Sequence, residues 1–235
     1  MPRKHLIANI TNKKQQTQAK IWLKLAREIK AAVKIGGKNI DANPRLKAAI
    51  EKALQNNLSR ESIQRNINGA DKDPENLMSL TYECYGPKGS QFIIIALTDN
   101  INRTTSNLRG YLGKIGGKIS KSNSVKINFS NYGYIVLAKN STTTEDSILE
   151  CLINATKLDI KEFDNNFVVL VNEEFYYDAK SVLLANSFTI LESEIKLVSL
   201  DKVSIDDKKL LEQIGHFINL CENDDDIQSI FHNLS

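Results

Sequence analysis

The densest group of residues able to do chemistry lies in IIIALTDNINRTTSNLRGYLGKIGGKIS, residues 93–120. An aliphatic run leads into Thr98, Asp99, Asn100, Asn102, Arg103 and Thr104, and Gly110, Gly113, Gly116 and Gly117 follow. A helix N-terminus beside an arginine can bind phosphate. The same Asn, Asp and Thr oxygens can instead accept the first N–H groups of a helix, so capping explains most of the composition. Asn102 is expected to cap a helix entered through Arg103 and Thr104, leaving Arg103 as a docking point for phosphate. The glycines follow the helix body, whereas a dinucleotide fingerprint needs them between strand and helix, so they read as a helix stop.

Other catalytic patterns are absent. The sequence has no G-x-S-x-G, no H-E-x-x-H, no Walker G-K-[ST] and no Cys/His pair close in sequence. Cys84, Cys151 and Cys221 are odd in number and widely spaced, which argues against a disulfide framework or a zinc knuckle. His5, His216 and His232 show no metal-ligand spacing. Asp224, Asp225 and Asp226 could chelate a divalent ion, but a solvated turn between a helix and a strand accounts for them. The expectation is a protein without catalytic residues, metal or cofactor.

The net charge of +3 conceals a segregation. Residues 1–72 hold 16 Lys/Arg against 5 Asp/Glu, and residues 88–139 hold 8 against 1. Residues 140–235 hold 7 against 19. A basic first half and an acidic last part read as a polyanion binder with a separate acidic module. The candidate nucleic-acid contacts are Lys13, Lys14, Lys20, Lys24, Arg27, Lys34, Arg45, Arg103 and Arg109. Lysine outnumbers arginine in the first helix, favouring contacts to the phosphate backbone over base readout. Trp22 could stack on a base, but its place in the apolar pattern assigns it to the core. No apolar run approaches the roughly 20 residues of a membrane span, and the N-terminus lacks a secretory h-region, so the expected location is the cytoplasm.

These residues need elements to position them. Ile21, Leu25, Ile29 and Val33 repeat at helical spacing over 17–35 and stop at Gly36 and Gly37. Asn43 and Pro44 start a second helix; Ser59 starts a third, ending at Gly69, with Leu58 and Ile63 at staple positions. After the linker ADKDPENLM, residues 81–86 and 90–98 read as strands around the turn GPKG, and 124–129 as another. From residue 132 the pattern is strand, helix, strand, strand, helix, strand, a split β-α-β unit. The helix at 206–222 and the strand at 226–233 complete a second such unit begun before it.

The fold class expected is α+β multidomain: an N-terminal three-helix bundle plus two ferredoxin-like α/β domains, the third inserted into the second. The boundaries are 1–76 for a basic helical domain, 77–130 with 204–235 for a discontinuous α/β domain, and 131–203 for an inserted acidic domain.

Several segments carry a resemblance. KIWLKLAREIKAAVKIGG, NPRLKAAIEKALQNNLSRESIQRNI, YECYGPKGSQFIIIALTDNINRT, SNLRGYLGKIGGKI, SVKINF and the terminal NDDDIQSIFHNLS together resemble the YebC/PmpR family, which includes the mitochondrial translational activator of cytochrome c oxidase. The match is close over residues 20–130 and at the C-terminus, and rests on pattern over 131–205. The resemblance implies the same helical domain with two α/β domains and a cytoplasmic, non-enzymatic protein, a probable DNA-binding transcriptional regulator. Some members act in translation instead, easing ribosomes through difficult sequences. Family motif positions fall on Asn43, Pro44, Arg45, Tyr85, Gly86, Pro87, Thr98, Asp99, Asn100, Asn102, Arg103, Thr104, Gly116 and Gly117. The leader departs from the family: RKHLIANITNKK keeps Ala8, Asn9 and Ile10 but lacks the G-H-S-K-W part. The partners expected are duplex DNA or, alternatively, ribosomal or transfer RNA and the ribosome, bound by a monomer.

Overall fold

The structure is a computed structural model that describes residues 3–235 except 73–75, 141, 156, 157 and 200, with side chains from Thr17 onward apart from Lys72. Among the described residues it holds seven α-helices and two four-stranded antiparallel sheets. The chain divides into two compact units, residues 1–122 with 205–230, and residues 123–204 with 231–235.

In the first unit, helix α1 runs from Arg3 to Gly36. The leader is thus part of this helix: neither proline nor glycine interrupts residues 3–35, so nothing stops it before the glycine pair. Helix α2 (Pro44–Gln55) and helix α3 (Arg60–Gly69) pack on α1 through Leu25, Ile29, Val33, Leu46, Ala53, Leu58, Ile63 and Ile67. The Asn43 side chain joins α1 to α2. Its Oδ1 accepts the Leu46 N–H at 3.0 Å, while its Nδ2 donates to the Ala32 and Gly37 carbonyls, both at 2.9 Å. A Cβ on Gly36 would lie 2.6 Å from Asn43 Nδ2, which explains glycine there. Ser59 caps α3, and Leu58 and Ile63 are both buried beside that cap, as a hydrophobic staple requires.

The expectation of a core Trp22 is corrected. It is 38% exposed at the bundle's edge, where Nε1 donates to the Asn56 carbonyl at 2.9 Å. Positions 25, 29 and 33 define the buried stripe, and Trp22 lies one step off it.

The first sheet contains β1 (Met78–Tyr85), β2 (Gln91–Thr98), β3 (Lys118–Ile119) and β8 (Ile227–His232), in the order β3-β1-β2-β8. Helix α4 (Ile101–Gly113) follows β2, and α7 (Lys208–Asn223) precedes β8. Phe92 of β2 meets Phe217 of α7 edge to face, with ring centroids 5.1 Å apart. The second sheet contains β4 (Phe129–Ala138), β5 (Asp159–Glu162), β6 (Asn166–Asn172) and β7 (Ile190–Ser199), in the order β5-β6-β4-β7. Helices α5 (Glu145–Cys151) and α6 (Tyr176–Ala185) complete a β-α-β-β-α-β sequence over a core of Ile135, Leu137, Ile148, Phe167, Val169 and Leu183.

The two sheets share one spatial plan. In each, a strand leads through a helix to a strand two places away, and the final helix returns a strand to the first strand's other side. They differ in the intervening strand: β6 comes after the first helix, whereas β1 comes before β2 in the chain.

The expected strand at 124–129 is not formed. Residues 126–128 make a 3-10 turn and β4 starts at Phe129. Val125 and Phe129 are buried and Ile127 is 75% exposed, so the apolar spacing there is that of a helical turn; read as alternation, it passed for a strand.

Candidate functional site: the α4 N-terminus and the acidic turn

Strand β2 ends in Thr98, buried by its neighbours, and the chain turns through Asp99 and Asn100 into α4. The cap is Asn100, two residues earlier than expected. Its Oδ1 accepts the Arg103 N–H at 3.0 Å and its carbonyl accepts the Thr104 N–H at 3.2 Å, while its own N–H donates to Thr98 Oγ1 at 3.0 Å. Asn102 lies exposed in the first turn. The buried strand end fixes Asn100 with extended backbone, the conformation a cap needs.

At the far end, the Gly117 N–H donates to the Leu112 carbonyl at 2.9 Å and Gly116 adopts φ +70°, which ends the helix as the sequence implies. A Cβ on Gly117 would come within 2.8 Å of the Tyr85 carbonyl oxygen, so the glycine pair also lets the chain pass against β1.

Arg103 does not stand free for a phosphate. Its Nε donates to Asp226 Oδ2 at 3.0 Å, and its Nη2 donates to Asp226 Oδ1 and Oδ2 at 2.9 and 2.8 Å and to Asp99 Oδ1 at 2.7 Å. Asp226 also accepts from Thr104 Oγ1 at 2.9 Å. Hydrogen bonds to Asp226 and then Asp99 hold the Arg103 guanidinium above its ordinary pKa, and the bond from Arg103 holds the Asp99 carboxyl below the usual carboxylate range.

The three consecutive aspartates are thus a structural clasp. Asp224 Oδ2 accepts from Tyr111 Oη at 2.9 Å and Asn107 Nδ2 at 3.3 Å, and Asp224 Oδ1 accepts the Asp226 N–H at 2.9 Å. The Asp226 carbonyl accepts the Leu97 N–H at 2.7 Å, joining the turn to β2. Among the described residues no group of three or more His, Cys, Asp or Glu could hold a metal ion.

The clasp also reaches helix α1. Lys20, Lys24 and Arg27 fall at i, i+4 and i+7 and so share one face. Lys20 Nζ donates to Asn223 Oδ1 at 3.0 Å, Lys24 Nζ to the Glu222 carbonyl at 2.6 Å, and Arg27 Nη1 to the Asp225 carbonyl at 2.7 Å. Arg27 Nη2 lies 3.5 Å from Asp226 Oδ1. These cations meet the C-terminal end of α7, where unpaired carbonyls and the helix dipole favour positive charge. Burial pushes the Lys24 ammonium below its ordinary pKa, against the opposing pull of Asp224, Asp225 and Glu222.

The remaining candidates separate into two groups. Arg45 Nε donates to Glu28 Oε1 at 2.8 Å and ties α2 to α1. Lys34 and Arg109 lie exposed, on α1 and α4. The side chains of Lys13 and Lys14 lie outside the described residues. The structure thus brings Lys20, Lys24, Arg27 and Arg103 together around one turn and leaves Lys34, Arg45 and Arg109 elsewhere. Asp226, expected in a solvated turn, is instead 4% exposed, the shared acceptor of Arg103, Thr104 and Arg27. The available signal was a run of acids at a helix end in a chain whose middle segment is otherwise basic.

Family models match nearly the whole chain: the TACO1/YebC protein N-terminal domain over residues 2–73, and the TACO1/YebC second and third domain over residues 77–234. A protein of Ureaplasma urealyticum named as a probable transcriptional regulatory protein is 52% identical over 233 residues, covering 99% of this chain and 98% of its own. Proteins carrying that name in Mycoplasma pneumoniae and Clostridium botulinum are 49% and 34% identical, covering 99% and 96% of this chain and 99% and 93% of theirs. The crystal structure of a conserved hypothetical protein from Aquifex aeolicus superposes with a TM-score of 0.78 at 31% identity, covering 92% of this chain and 90% of that one. The chain belongs to the TACO1/YebC family.

Proposed function

We propose that this chain is a non-catalytic regulator of gene expression that works in the cytoplasm by binding nucleic acid, with duplex DNA as the target. The relatives named as probable transcriptional regulatory proteins support the regulatory part. The observation that carries the nucleic-acid part is the excess of 16 Lys/Arg over 5 Asp/Glu in residues 1–72. Lys34, Lys47 and Arg60 are exposed there, and Arg109 adds an exposed guanidinium on α4. Arg60 stands in the first turn of α3, where the helix dipole disfavours a cation, so an external anion would relieve it. Such surface-borne cations grip the phosphate backbone and give weakly sequence-selective, salt-sensitive binding.

In this reading residues 1–76 form the basic binding domain and 77–130 with 204–235 carry it. The inserted acidic domain, 131–203, repels non-cognate polyanion contact and leaves the basic surface as the docking face. Fluorescence anisotropy of the full chain with labelled duplex DNA tests the proposal, alongside co-sedimentation with ribosomes. Micromolar or tighter duplex binding that Lys47→Glu and Arg60→Glu weaken supports it. Pelleting with ribosomes in the absence of duplex binding would replace DNA by ribosomal RNA as the target.

A further inference from the structure

The second sheet ends on two unlike edges. Strand β5 has 4 residues, and a short edge strand is one of the usual protections against pairing with another chain. Strand β7 has 10 residues with neither proline nor glycine, and it ends the strand order, so among the described residues no further strand of the sheet lies beyond it. Its pairing with β4 shifts register between Val136 and Leu137 and is regular from Glu192 to Ser199. An open edge of that kind presents backbone N–H and C=O groups to any strand that can lie along it.

The charges on β7 decide which strand that is. Glu192, Glu194 and Lys196 alternate with Ser193, Ile195 and Leu197, so the charged side chains share one face and Ile195 lies on the other. Within one copy, Lys196 Nζ lies 2.8 Å from both Glu192 Oε1 and Glu194 Oε1 and 3.8 Å from the Tyr134 ring centroid. Two carboxylates thus share one ammonium, and the strand is short of a cation. Ile195 is 38% exposed.

Two copies of β7 joined along this same edge are antiparallel and related by a two-fold axis normal to the sheet. Residues opposite one another then lie on the same face, spaced symmetrically about the axis. An axis at Glu194 or at Lys196 sets that residue against itself, and an axis at Ser193 sets Glu192 against Glu194 twice. Like charges directly opposite are destabilising. An axis at Ile195 sets Glu194 against the partner's Lys196 at two symmetric positions and Ile195 against its own counterpart. That register uses residues 192–198, all within the regular part of the strand.

We infer that β7 is a self-association edge, along which a second copy of this chain adds its own β7 in the register centred on Ile195 and joins the two sheets into one. The inference replaces the monomer expected from the sequence and stands apart from the nucleic-acid reading.

Sedimentation velocity of the full chain over about a hundredfold range of concentration tests it, since a dimer forms by mass action. The wild type is expected to shift toward twice the mass of one chain as concentration rises. Glu194→Lys and Lys196→Glu each put like charges opposite at both symmetric positions, and each variant alone is expected to dimerise about tenfold more weakly or worse. An equimolar mixture of the two is expected to dimerise again, because the lysines of one chain then face the glutamates of the other; mixing cannot repair the folding of either chain. Ile195→Lys sets a cation against itself on the axis, is expected to weaken dimerisation similarly, and decides the matter if a charge variant does not fold. A wild type that stays monomeric throughout the range, dimerisation that none of the substitutions weakens, or a mixture of the folded charge variants that stays monomeric, overturns the inference.

Discussion

Arg103 and Asp226, 123 residues apart in sequence, meet through two guanidinium nitrogens and both carboxylate oxygens at 2.8–3.0 Å. Asp226 is the buried partner, with a side chain only 6% exposed, while Arg103 is 46% exposed. The carboxylate therefore depends on its donors more than the guanidinium depends on Asp226. It gathers Arg103 and Thr104 from α4 and Arg27 from α1, so the start of α4, the turn before β8 and the first helix are fastened at one point.

Asp226→Ala leaves buried Thr104 and nearly buried Arg27 without their shared acceptor, while Arg103 stays half exposed and keeps Asp99; a buried donor left unpaired costs about 1–3 kcal/mol. The expected result is a large fall in the thermal midpoint, followed by circular dichroism. Asp99→Ala removes only the exposed partner of the same guanidinium and is expected to cost much less. Equal effects of the two substitutions would contradict the clasp.

The glycines of α4 and its exit predict opposite signs. A Cβ at Gly110 meets nothing within 4 Å, so Gly110→Ala is expected to stabilise by roughly 0.5–1 kcal/mol through helix propensity. Gly117→Ala drives a Cβ to within 2.8 Å of the Tyr85 carbonyl oxygen and is expected to destabilise. Urea midpoints of the two variants separate these outcomes.

Tyr111 is expected to ionise late. Burial, and then its hydrogen bond to Asp224, push the phenol up to about 12 from an ordinary value of 10. Because the folded pKa is the higher, this stabilisation is fully present below pH 10 and is lost as pH rises through about 12. Ultraviolet titration of phenolate should show a late step that is missing in Tyr111→Phe. A Tyr111→Phe curve with the late step intact would count against the assignment.

The cysteines should differ in reactivity. Burial pushes the Cys84 and Cys221 thiols up to about 12, and both side chains are inaccessible, whereas Cys151 is partly exposed. An aromatic disulfide reagent is expected to titrate one thiol in the native protein and three after unfolding. Rapid labelling of Cys84 in native buffer would contradict this packing.

Local signals in the sequence specify structure where cause and consequence lie within a few residues. Asn43 before Pro44, Ser59 between Leu58 and Ile63, and the glycine pair after α4 each specify a helix end by short-range geometry. The alternation of strand and helix after residue 132 was legible for the same reason. The failures have a common source. Val125, Ile127 and Phe129 fit either a strand or a turn until the surrounding burial decides between them. The α4 cap fell to Asn100 because the buried end of β2 sets the backbone there. Arg103 looked available because its partner comes from the turn before β8, a pairing that only the folded chain creates. Lys20, Lys24 and Arg27 likewise meet acceptors about 200 residues onward.

The central claim is that surface cations bind nucleic acid through phosphates, and its most direct measure is duplex affinity against salt concentration. The wild-type chain is expected to give a linear fall of log affinity with log salt, with a slope of about −0.9 per phosphate contacted. Arg109→Glu, which reverses an exposed charge outside the clasp, is expected to make that slope shallower by about one contact while leaving the fold intact. A flat salt response in the wild type, or a slope that Arg109→Glu and Arg60→Glu both leave unchanged, would contradict the account.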